Sequence, residues 1–186
     1  MAQRFTQLEP AAFTPRQKEV ADAIQSGPRG GGLRGPFNAL LRAPDLCDLV
    51  QRVGAYVRYG SSIPAALNEM AICMAGRKWT AQYEFYAHRK LAIDAGLNPA
   101  ILDAIANGTV PANMSADETI VYNFATALLS NGNVPDAQYQ PALDRFGEAG
   151  VMDLVGAVGY YTIVSMVLNV ADVQLPAGEP KPLKPL

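Results

Sequence analysis

Leu154-Val155-Gly156-Ala157-Val158-Gly159-Tyr160-Tyr161-Thr162-Ile163-Val164-Ser165-Met166-Val167-Leu168-Asn169-Val170-Ala171 is an uncharged run near the end of a 186-residue chain. Its reading decides the fold class. Its length is close to the lower limit for a membrane span, about 17 residues. However, Asp153 and Asp172 bracket it, Asn169 lies inside it, and no Lys or Arg flanks it as an interfacial anchor. The pattern therefore predicts a helix from Val151 to Val170, buried on all sides in a protein core or an oligomer, with no membrane involved.

The same helical pattern recurs towards the N-terminus. Pro135 to Phe146 predicts a helix, with Gly147 and Gly150 as breakers. Ser115-Ala116-Asp117-Glu118 reads as a capping box that starts a helix through Leu129. Asn98-Pro99 opens a short helix that ends at Asn107-Gly108. Thr80 to Ala95 predicts another, stopped by Gly96. Ile63-Pro64 opens a helix ending near Trp79, with Leu67, Met70, Ala71, Met74 and Ala75 at core spacing. Pro44 to Tyr59 and Thr14-Pro15 to Gln25 predict two more. No segment alternates like a strand. The expectation is an all-α bundle of seven or eight helices. Residues 1–34 supply an N-terminal helix and a Gly-rich connector, 35–172 the main helical domain, and 173–186 a Pro-rich arm.

The Gly27–Pro36 connector lacks the Walker spacing and has no strand before it, so it is not expected to be a phosphate loop. Apolar residues make up 49% of the chain and charged residues only 17%, an excess that suits a covered subunit face. The net charge of -2 and the lack of a basic stripe argue against a nucleic-acid partner. Residues 1–7 lack an apolar signal core, which predicts a cytoplasmic protein. Cys47 and Cys73 have neither zinc nor disulfide spacing and read as buried hydrophobes. One histidine without a cysteine cluster makes a protein metal site unexpected.

That histidine is His88, in Trp79-Thr80-Ala81-Gln82-Tyr83-Glu84-Phe85-Tyr86-Ala87-His88. Glu84 lies one helical turn before it, so carboxylate and imidazole share a face. Glu69 lies on the preceding predicted helix. Spacing alone allows either an ordinary surface pair or a site for proton chemistry near neutral pH. It also leaves Trp79, Tyr83, Phe85 and Tyr86 as packing residues.

The stretches Gly35-Pro36-Phe37-Asn38-Ala39-Leu40-Leu41-Arg42-Ala43-Pro44, Asn68-Glu69-Met70-Ala71-Ile72 and Ala75-Gly76-Arg77-Lys78-Trp79 through His88 resemble the carboxymuconolactone decarboxylase family. So do Ala95-Gly96-Leu97 and Gly159-Tyr160-Tyr161. The resemblance spans about residues 35–172. It also touches alkylhydroperoxidases of the AhpD type, but these carry Cys-x-x-Cys where this chain has Ala81 and Glu84. A thiol peroxidase needs an attacking and a resolving thiol, so the resemblance favours the decarboxylase-like branch. It implies a homo-oligomer, trimer or hexamer, acting on a small carboxylic acid or lactone from aromatic catabolism. His88, Glu84 and Glu69 would be catalytic, and Tyr83, Trp79, Arg77 and Arg42 substrate-binding.

Such a lactone acid is its own electron sink, so no cofactor is expected. His88 would deliver a proton to carbon, with Glu84 or Glu69 orienting the ring and holding it protonated. Arg34, Arg42 or Arg77 would bind carboxylates. The alternatives are an AhpD-related oxidoreductase of peroxiredoxin type with a divergent site, and a non-enzymatic small-molecule-binding oligomer.

Overall fold

The structure is a computed structural model that describes residues 4–28 and 32–185. Arg29, Gly30 and Gly31 of the Gly-rich connector lie outside the described residues. Among those described there are eight α-helices, one short 3-10 turn and no strand. The helices are α1 (Pro15–Ser26), α2 (Phe37–Leu40), α3 (Pro44–Tyr59), α4 (Ala65–Lys78), α5 (Gln82–Asp94), α6 (Pro99–Ala106), α7 (Ala116–Asn131) and α8 (Asp136–Ala171). The all-α expectation holds.

Local chemistry sets the boundaries. Thr14 and Gln17 form a full capping box at the start of α1, and Ser115 and Glu118 another at α7. The Asn98 side chain accepts from Ala100 N–H to start α6. Gly147 breaks α8 with a left-handed φ of +68°, a conformation that favours glycine. Gly150, the second expected breaker, stays helical. A Cβ there would lie 2.5 Å from Phe146 Cβ, so the position needs glycine for close approach.

α4 is the central helix. Every residue from Leu67 to Arg77 on it is buried, and α5, α6, α7 and α8 pack around it. One apolar cluster joins α4 to α6, α7 and α8 through Met70, Ile101, Phe124 and Leu154. A second joins α1, α2 and α3 to α8 through Val20, Ile24, Leu40, Val57 and Tyr161. The N-terminal helix is thus part of the core.

α8 departs from its expected all-round burial. Leu154, Ala157, Val158, Tyr161, Val164 and Leu168 are buried, whereas Met152, Val155, Ile163, Met166 and Val170 are exposed. α8 is long and apolar enough to cross a membrane by composition, yet 56% of its most apolar window is buried in the protein. Its exposed stripe adjoins α3, which exposes Leu46, Leu49, Val53 and Tyr56. The fully surrounded helix is α4, not α8.

The C-terminal arm is irregular, as expected, but it is docked. Leu183 is 3% exposed and enters the core. Gln82 holds its backbone from both sides, at 2.8 Å to the carbonyl and 3.0 Å from the N–H.

Candidate active site

α4 and α5 place two carboxylates on either side of one imidazole. Glu69 is in the middle of α4, and the α4–α5 turn brings α5 back alongside it. Glu84 stands in the first turn of α5, where the positive end of the helix dipole favours its charge. His88 follows one turn later on the same face. All three are buried, at 8%, 3% and 7% exposure respectively.

His88 Nδ1 is 2.5 Å from Glu69 Oε2. On the other edge of the ring, His88 Nε2 is 3.0 Å from Glu84 Oε1. This second contact pairs the ring with the Glu84 charge. Tyr161 of α8 packs edge-on against the imidazole, with centroids 4.7 Å apart and planes at 72°. The Tyr161 hydroxyl is buried without a partner.

Burial by itself would pull the His88 pKa down. The Glu84 charge and the hydrogen bond to Glu69 push the other way and prevail, raising it to about 9. The ring is therefore a cation at neutral pH, and both of its nitrogens carry protons. Burial, followed by the Glu84 charge, raises the Tyr161 phenol well above its ordinary value, so it remains protonated.

His88 and Glu84 line a cavity of about 260 Å³ together with Tyr83, Arg58, Arg34 and Ile24. Gly35 shapes its wall. Its φ is +61°, and a Cβ there would stand 3.1 Å from Tyr83 Cε1. Arg58 ends α3 and reaches inward, its Nε 3.9 Å from Glu69 Oε1.

The structure thus brings Glu69, Glu84, His88 and Tyr83 together. Trp79, Arg77 and Arg42 lie elsewhere. Trp79 is 40% exposed and donates to Thr162 on α8 at 3.3 Å. Arg77 donates to the Lys184 carbonyl at 2.7 Å and so anchors the C-terminal arm. Arg42 binds the Asn38 and Thr6 carbonyls and stacks over Phe5. Arg58 and Tyr161 carried no role in the sequence. Both arrive from helices distant in the chain, and only the Gly159-Tyr160-Tyr161 motif hinted at the second.

Both thiols are fully buried. Burial raises Cys47 to about 11. Burial and then the charges of Glu69 and Glu84 raise Cys73 well above the ordinary thiol range. Among the described residues, no group of three or more His, Cys, Asp or Glu side chains is arranged to hold a metal ion.

No protein-family model matches the chain, and no curated protein is significantly similar to it.

Proposed function

We propose that this protein is a cofactor-free carboxy-lyase that decarboxylates a small unsaturated carboxylated lactone or related acid, with His88 as the proton donor. The observation that carries this reading is a buried imidazole at a cavity wall, held between the Glu69 and Glu84 carboxylates, which raise its pKa. The bond from the ring carbon to the departing carboxylate breaks and releases carbon dioxide. Its electron pair spreads to the conjugated lactone carbonyl as a dienolate. His88 then gives a proton to carbon and regains one from solvent. Nδ1–H is committed to Glu69, so Nε2–H is the proton that leaves. Positioned acid catalysis of this kind gives about 10²–10⁴-fold.

Thiol peroxidase chemistry has less support. It needs an accessible thiolate, and burial holds both cysteines protonated. Such thiols also suit a reducing cytoplasm.

We also propose that the exposed apolar faces of α3 and α8 cover a second copy of this chain. Two acids beside that face are paired within the chain, Asp45 with Arg16 at 2.8 Å and Asp48 with Arg52 at 2.7 Å, and isologous contacts require self-complementarity.

The deciding experiment is release of carbon dioxide from carboxylated unsaturated lactones. His88→Ala should abolish it, and the Cys47→Ala/Cys73→Ala protein should keep it. A hydroperoxide-reducing activity that is lost in the double cysteine variant would replace the lyase reading.

A further inference from the structure

We propose that Arg58 and Arg34 form an anion clamp in the His88 cavity that takes the carboxylate of a small mono-anionic acid. The inference rests on reading this cavity as a ligand site, but not on the reaction performed there.

The arginines differ in their partners. Arg16, Arg52, Arg89 and Arg145 are each paired with a carboxylate at 2.7–2.8 Å. Arg4, Arg42 and Arg77 donate to backbone carbonyls. Of the described arginines, only Arg34 and Arg58 have a guanidinium with no hydrogen-bonded partner, and both line the same cavity. The Arg58 side chain is only 20% exposed. Its Nε is fully buried without a hydrogen bond, and its nearest carboxylate oxygen, on Glu69, is beyond hydrogen-bond reach at 3.9 Å. A buried charged donor left unmatched is destabilising. A ligand carboxylate would satisfy it, and the planar fork suits that shape.

The site's charge balance also favours a single anion. Among the described residues, three cations, Arg34, Arg58 and protonated His88, stand with two carboxylates, Glu69 and Glu84. This described set leaves one positive charge over, which matches a ligand with a single negative charge. A dianion would also meet the Glu84 carboxylate, which is buried at the same wall. The cavity of about 260 Å³ is smaller than the roughly 300–1,000 Å³ of sites for drug-sized ligands. A single small ring with one carboxylate fits.

The test needs no turnover. His88 is the only histidine, so its imidazole C–H signals report on the cavity unambiguously by NMR. Benzoate should shift them saturably. Benzamide and the dianion phthalate should bind at least ten-fold more weakly. Arg58→Gln should weaken benzoate at least ten-fold, Arg58→Lys should restore part of the loss, and Arg145→Gln should change nothing. Should Arg58→Gln fail to fold, Arg34→Gln, on an exposed loop residue, meets the same criterion. Benzoate binding that is undetectable, or indifferent to both arginines, or matched by benzamide, would overturn the clamp. Equal binding of phthalate would overturn the single-charge assignment. A protein that clamps benzoate yet releases no carbon dioxide loses the proposed reaction and keeps the clamp.

Discussion

Glu69 Oε2 and His88 Nδ1 stand 2.5 Å apart across the α4–α5 interface, and Glu84 stands on the opposite edge of the same ring. The two carboxylates together outweigh the burial that would otherwise discharge the imidazole. An NMR titration of His88 should therefore give a midpoint near 9. Glu84→Gln should move it down, because that substitution removes the charge acting most strongly against burial. A midpoint near the ordinary ~6.5 in the wild type would show that the carboxylates do not hold the proton.

The same shift makes stability depend on pH. The folded pKa is raised, so the contribution is fully present below the unfolded value of ~6.5 and is lost as pH rises through about 9. The loss is on the order of 3 kcal/mol, at about 1.4 kcal/mol per pH unit. Denaturant midpoints measured from pH 6 to pH 10 should fall across this window. In His88→Asn the fall should be much shallower. An equally steep fall in that variant would assign the effect to other groups.

Cys47 and Cys73 should resist a thiol reagent in the native protein and react once it is unfolded. Both are buried, and burial raises their pKa. Cys73 lies one turn beyond Glu69 and also feels Glu84, so the acids that charge His88 hold this thiol neutral. Fast labelling of the folded protein would reopen the peroxidase reading.

The legible part of the site was its local part. Glu84 and His88 are one turn apart, so a helix puts them on one face whatever surrounds it. Glu69 comes from the preceding helix, and the motif pattern supplied it. Arg58 could not be told from Arg42 or Arg77, because each arginine sits at or near the end of a helix. What separates them is the tertiary partner: a carboxylate beyond bonding reach for Arg58, the arm's carbonyl for Arg77 and the N-terminal segment for Arg42. Helix boundaries followed caps and prolines, hence their close match. Gly147 and Gly150 look alike as letters, but only the first uses a positive φ. The four-residue α2 is too short to carry a period.

Asp153 joins α8 to the turn before α4. It accepts from Ser62 N–H and Ser62 Oγ, each at 2.7 Å, and from the Tyr56 hydroxyl at 2.8 Å. Burial alone would raise its pKa, but the Ser62 and Tyr56 bonds prevail and lower it. A lowered carboxylate pKa contributes stability above the unfolded value of ~3.9, and that stability is lost as pH falls through the folded value. Asp153→Ala should cost about 1–3 kcal/mol at pH 7 and less below pH 4. A thermal melt at both pH values checks this. An equal cost at both would show that the charge plays no part.

The exposed face of α3 and α8 should set the mass of the particle. Leu46, Leu49, Val53, Tyr56, Tyr59, Met152, Val155, Ile163, Met166 and Val170 each expose between 37% and 64% of their surface. Together they present on the order of 1,000 Å², enough for the roughly 800 Å² per partner of a standard interface. The largest apolar patch on a typical monomer is about 300–600 Å². Light scattering at micromolar concentration should therefore give a multiple of 19.9 kDa. Leu49→Glu places a charge on a residue that is 64% exposed, so it should leave the fold intact while shifting the mass towards the single chain. Because α8 also carries Tyr161 against His88, the His88 signals of Leu49→Glu separate two roles for the interface. Unchanged signals in the dissociated chain mean that each subunit builds its own site. A wild-type protein that scatters as a monomer would leave the apolar face uncovered by its own kind and end the oligomer proposal.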